Sequence, residues 1–247
     1  MEVRKLFDYG SVVKNRKRFD PNNPSSIFFH DQVIREAKDR MEEAFDCLCS
    51  QAIVTGIPEL WGKSFPEADV VPDEEILKFP NDQYDLILHS LCLHWSNDPV
   101  GQLIQCQQSC KPGGMVLAVL FGGQSLVELR TALITSETRI KSGASPRIAP
   151  MGDIMDLGNL MARANYKNPV SDRMEFRLEY NTLAELMINL RLMGEANSLT
   201  SRTKNFTSHK IFQEAEKFYK DNFSLPSGKI FATFELIFLT GWVHEST

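Results

Sequence analysis

Residues 89–99 read HSLCLHWSNDP, which puts two histidines and a tryptophan within seven positions. Three chemistries suit such a cluster. A histidine titrates near neutrality and can serve as a general base. Two histidines can ligate a metal. A histidine and a tryptophan can wall a pocket. His89 is the candidate base, and Ser90 offers a polar contact at the same strand end. His94 and Trp95 are candidates for lining the substrate side. Each also has a packing role: Trp95 can cover a helix start, and His94 can bond backbone. His89 and His94 have no third close ligand in the sequence, so no metal site is expected.

The surrounding pattern says which elements hold this cluster. YDLILHSL, 84–91, is aliphatic and reads as a strand. Asn97 or Asp98 can cap a helix that has Pro99 at its first position and runs to about Cys110. Lys111-Pro112-Gly113-Gly114 turns the chain into GMVLAVLFG, 114–122, a strand apolar on both faces. Strand, helix and strand in that order make a βαβ unit and an α/β sheet. Upstream, residues 28–43 show helical spacing, with Phe29, Val33, Ala37 and Met41 on one stripe. Downstream, helices are expected at 125–141, 153–164 and 182–197, with strands at 174–180 and 229–242.

Bulk composition narrows the partners. The 247 residues carry a formal charge of −5, and 43% are hydrophobic. That is ample for a core and argues against a general nucleic-acid binder. No apolar run approaches the ~20 residues that span a bilayer. The start, MEVRKLFDYG, lacks the apolar core of a signal peptide. Five cysteines, at 47, 49, 92, 106 and 110, form no CxxC and read as buried thiols of a reducing bacterial cytoplasm. The basic run KNRKRF, 14–19, reads as a solvated helix face or an anion contact.

Several phrases together resemble one family. PDEEILKFPNDQYDLIL, HSLCLHWSNDP and CKPGGMVLAVLFGG are similar to the second half of a class I S-adenosylmethionine (SAM) methyltransferase. GGQSLVELRTAL, SPRIAPMGDIMDLGNLMARANY, NLRLMGEANSLTSR and GKIFATFELIFLTGW resemble the methyltransferase-like proteins of respiratory complex I assembly. Those in turn are related to the malonyl-carrier-protein methyltransferase of biotin synthesis. The resemblance implies a Rossmann-like sheet with helices on both faces and helical insertions in the C-terminal half. It implies an N-terminal helical segment, 1–43, before a methyltransferase-like domain, 44–247, within a single domain overall. It implies SAM at the carboxyl ends of the parallel strands. Gly56, Asp73, Glu74, His89 and Ser90 then fall on the cofactor side. Arg130, Arg147 and Arg191 join His94 and Trp95 on the substrate side.

The chain departs from the family at its first nucleotide-binding half. The first strand is expected near AFDCLC, 44–49, and the third should end at Asp73. Three strands and two helices cannot fit in that span, since one βαβ unit takes roughly 30 residues. No GxG occurs there; Gly56 and Gly62 stand six apart. This half is therefore expected to be shortened, with Glu67 or Asp69 as substitutes for the ribose-binding acid. Two functions follow. One is a SAM-dependent methyltransferase acting on a small molecule or a protein side chain, with arginine hydroxylation left open because the resemblance includes relatives linked to modifying an arginine. The other is a non-catalytic assembly factor that binds a respiratory-chain subunit.

Overall fold

The computed structural model describes residues 5–45, 50–80 and 83–245. Its strands are β1 (Gln51–Thr55), β2 (Asp69–Pro72), β3 (Tyr84–Ser90), β4 (Cys110–Phe121), β5 (Lys167–Tyr180) and β6 (Ile230–Trp242). Its α-helices are α1 (Tyr9–Arg16), α2 (Pro24–Ala44), α3 (Pro58–Ser64), α4 (Pro99–Ser109), α5 (Val127–Lys141), α6 (Ile154–Arg163), α7 (Leu183–Leu192) and α8 (His209–Asn222). The sheet order is β2-β1-β3-β4-β6-β5. β1 runs parallel to β2 and β3, and β3 parallel to β4, while β6 is antiparallel to β4. The chain forms two compact units. A sheet unit holds Asp20–Phe121, Gly152–Met174 and the end of the chain from Leu236. A helical unit holds the first 19 residues, Gly122–Met151 and Glu175–Glu235.

In the sheet unit, the two-residue side-chain period sorts the core. Val116, Ala118 and Leu120 share one face with Ile237 and Leu239, and Leu103, Cys106, Leu157 and Met161 of α4 and α6 cover it. Phe121 points the other way and meets the Phe29 ring of α2 edge-on at 5.3 Å. On that same face Arg40 of α2 lies 4.7 Å over the Phe238 ring and forms a two-pronged pair with Asp172. Helices therefore cover both faces. Gly114 has no room for a side chain: a Cβ there would lie 2.9 Å from the carbonyl oxygens of Lys111 and Tyr84. The KPGG turn consequently belongs to the start of β4, beside a register shift at Tyr84/Leu86.

Several boundaries moved. The first described strand is Gln51–Thr55; residues 46–49 of the expected AFDCLC strand, including Cys47 and Cys49, lie outside the described residues. The helix expected at 28–43 begins earlier, at Pro24, where the Asn23 side chain accepts from Ser25 N–H and caps α2. The strand expected at 174–180 begins at Lys167. The helix expected through 197 stops at Leu192, before Gly194.

In the helical unit, α5 meets α8 through an Arg139–Glu214 pair at 2.8 Å, with Arg139 also over the Phe218 ring. Gly194 ends α7 with φ +80°, and a Cβ there would sit 3.1 Å from Arg16 Cα. Gly194→Ala should therefore lose about 1–2 kcal/mol from backbone strain alone. The expected readout is a thermal midpoint lowered by several degrees. A melt that overlays the parent would show that this turn relaxes freely.

Candidate cofactor site

β1 leads away from the sheet centre through α3 to β2, and β3 leads the opposite way through α4 to β4. The reversal lies between β1 and β3, where open α/β sheets bind ligands outside the strand ends. The register pairs Thr55 with Ser90 at that point. Ser90 is fully buried, and its Oγ has no hydrogen-bond partner. The next residue, Leu91, takes a left-handed backbone at φ 49° while its N–H donates to Val119 O. Leaving a hydroxyl buried and unbonded costs about 1–3 kcal/mol, and a left-handed leucine about 1–2 more. Strain concentrated at a ligand crevice is a mark of function.

His89 lies one residue earlier and is fully buried. Its Nε2 is 3.0 Å from Gln102 Oε1, and its Nδ1 is 3.3 Å from Cys92 Sγ. Gln102 donates its amide nitrogen to Glu74 O, so its Oε1 must accept and the proton sits on His89 Nε2. Cys92 reaches on to Val54 O at 3.6 Å. The ring is enclosed by protein, whereas a general base must reach the proton that it takes. His89 is thus held by Gln102 and Cys92 in the protein interior. Gln102 is the participant that sequence reasoning missed. The buried residues of α4 are Gln102, Leu103 and Cys106. A glutamine four residues before a buried cysteine was the available signal.

Asp73 follows the end of β2 directly and is buried. Because β2 neighbours β1, Asp73 stands at the carboxyl end of the strand next to β1. Asp69 starts β2 at its opposite end and accepts from Tyr84 Oη at 2.8 Å. Glu67 precedes it. Neither reaches the carboxyl rim, which corrects their expected substitution. Glu74 pairs with Lys78 on the surface and gives the site only its backbone oxygen. His94 and Trp95 form a buried 3-10 turn in which the His94 ring lies 5.2 Å from Phe121 and 5.4 Å from Trp95. Their contacts are those of packing residues.

The β1 turn is lean. Thr55 Oγ1 accepts from Ile57 N–H. Gly56 is not among the described glycines with positive φ. α3 starts with Pro58, which has no N–H, and no side chain caps it.

The arginines expected on the substrate side belong to the helical unit. Arg147 forks onto Glu137 at 3.0 and 2.9 Å and reaches Thr207. Glu137 is 1% exposed and also accepts from Ser145 N–H and Oγ. Arg130 and Arg147 line one cleft of about 90 Å³. Arg191 is exposed and lines neither that cleft nor the larger cavity beside it.

Residues 59–118 match a family described as a methyltransferase domain. The match begins just after the lean β1 turn. "Putative methyltransferase RP459" of Rickettsia prowazekii is 31% identical over 179 residues, which cover 71% of this chain and 79% of that protein. The chain belongs to the methyltransferase family. "Arginine-hydroxylase NDUFAF5, mitochondrial" of Rattus norvegicus is 35% identical over 182 residues, 74% of this chain and 53% of that protein. The chain spans about half the length of such curated relatives. Among solved structures, the YcgJ protein of Bacillus subtilis gives a TM-score of 0.52 at 10% identity, covering 86% of this chain and 100% of that one. That likeness supports the class I methyltransferase fold.

For a member of this family, SAM is the cofactor expected, and the fit is one-sided. The unbonded Ser90 Oγ and the buried Asp73 suit its polar groups. The β1 turn supplies no glycine cradle.

The Glu137–Arg147 lock has a pH signature. The Arg147 guanidinium, opposed by burial, holds the Glu137 carboxyl at about 2, below its ordinary 4.5. A lowered folded pKa gives stability that is full above the unfolded value and lost as pH falls through the folded one. The shift corresponds to about 3 kcal/mol. Glu137→Gln should destabilise the protein near pH 7 by that order and flatten the loss between about pH 4.5 and 2. Parallel acid-unfolding curves for parent and variant would contradict this.

Proposed function

We propose that this chain works as a SAM-dependent methyltransferase-like protein whose cofactor lies at the β1/β3 strand ends of the sheet unit. SAM supplies an activated methyl on a sulfonium. Ser90 would donate or accept one hydrogen bond, and Asp73 would take the ribose hydroxyls. His89, Gln102 and Cys92 hold the rim in place. The unbonded, buried Ser90 Oγ carries this reading. The acceptor is a small molecule or a protein side chain. The site of action is the bacterial cytoplasm, in keeping with three buried free thiols. Among the described residues, no helix is long and apolar enough to cross a membrane.

The lean β1 turn favours a second reading, a non-catalytic assembly factor that engages a respiratory-chain subunit. Calorimetric titration of the folded protein with SAM divides the two. Saturable heat below millimolar ligand is expected for the first. Ser90→Ala should weaken binding about tenfold, while the thermal midpoint holds or rises because an unsatisfied hydroxyl is removed. No heat at millimolar SAM from demonstrably folded protein would sink the cofactor reading.

A further inference from the structure

The two edges of the sheet are built differently. β2 closes one side with four residues that end in Pro72. A short edge with a proline is a common way to keep a further strand from adding. β5 closes the other side with fourteen residues, and among the described residues no strand follows it. Its one proline, Pro169, lies near its start and leaves every N–H from Val170 onward in place. An edge of this length offers a row of N–H and C=O groups to whatever pairs next.

The side chains of β5 alternate between two faces. Met174, Phe176 and Leu178 are half-buried, and Tyr180 is buried. Arg173, Glu175, Arg177 and Glu179 share the opposite face, and all four are exposed. Charge on an edge strand ordinarily repels a neighbour. Here the repulsion depends on register. In an antiparallel pair of two such strands centred on Phe176, position 175 faces 177 and position 173 faces 179. Each arginine of one copy then stands opposite a glutamate of the other, and Phe176 meets its own symmetry mate. Shifting the centre two residues either way sets Arg against Arg and Glu against Glu. Parallel pairing in register also sets like against like. Opposite charges across a strand pair stabilise it and like charges destabilise it, so the order of signs selects one geometry.

The same order selects the partner. A two-fold contact needs a surface complementary to its own image, and the stretch RMEFRLE, 173–179, is complementary to itself when reversed. The contacts these charges make within the chain leave them available. Glu175 and Arg177 pair at 3.5 Å, and Glu179 pairs with Lys229 at 3.2 Å, in each case on the surface. Surface pairs of this kind contribute little.

We propose that β5 is a dimerisation edge. Two copies of this chain join antiparallel through residues 173–179, with the two-fold axis at Phe176, and the sheet continues from one copy into the other. The proposal does not rest on the cofactor reading; a chain that binds no SAM faces the same test.

The test is sedimentation velocity of the full chain from micromolar to several hundred micromolar, at low and at moderate salt. The parent should show a reversible monomer–dimer equilibrium that weakens as salt is added. Glu175→Arg sets Arg opposite Arg, and Arg177→Glu sets Glu opposite Glu. Each should raise the dissociation constant about tenfold or more. Mixed in equal amounts, the two variants restore opposite charges at both positions and should form a heterodimer with an affinity near that of the parent. The double variant Glu175→Arg/Arg177→Glu should dimerise as the parent does. Thermal melts check that each variant folds. Glu179→Arg, which faces Arg173 of the second copy and leaves the Arg177 contacts intact, should weaken the dimer in the same way. A parent that stays monomeric throughout would overturn the proposal. So would a dimer that all three folded single variants leave unweakened, or weakened variants that fail to recombine on mixing.

Discussion

A chain of buried polar contacts runs from the Glu74 carbonyl through Gln102 and His89 to Cys92, whose single S–H proton can serve either His89 Nδ1 or the Val54 carbonyl. It ties the acidic turn after β2, the first turns of α4, the end of β3 and the end of β1. Those are the pieces that must be held in register for a crevice to exist at the strand reversal. Buried polar networks of this kind are worth having only when every member is satisfied. The unbonded hydroxyl of Ser90 stands beside this chain rather than within it. The unbonded group is thus presented by a rigid frame.

Much of this frame was legible in the sequence. The YDLIL strand, the Asp98 cap with Pro99 behind it and the apolar β4 all follow from local chemistry. Asp98 accepts from Gly101 N–H as an N-cap should. The shortening of the first half was legible too, because a count of residues sets a hard limit on crossovers. Placement was not legible. Nothing in VVPDEE says that its strand neighbours β1 directly, and that adjacency moves Asp73 from one part of the expected pocket to another. The partners of His89 were not legible for a related reason. Its spacing with His94 suggested exposed chemistry, yet its partners come from Gln102, thirteen residues on, and from Cys92.

The helical unit repeats this lesson with charge. Arg130, Arg147 and Arg191 are alike as letters, but only the fold sorts them. One is cancelled by a buried carboxylate, one lines the cleft beside it, and one is solvated. Glu137 was the hidden variable. It sits mid-helix in SETRIK, where a glutamate ordinarily faces water, and instead collects the whole SPRIAP loop.

The sheet order also sets the sequence of events as the chain folds. β1 and β2 close over a crossover of one short helix, and β3 and β4 over another, so the parallel half forms from neighbouring stretches of chain. β4 must wait for β6, with Met115 opposite Trp242 and most of the helical unit threaded in between. Closing so long a loop is slow, and until it happens β4 is a bare, apolar edge. The interval before β6 arrives is therefore when this protein is most exposed to aggregation, and late hydrogen-exchange protection of the β6 amides would mark its end.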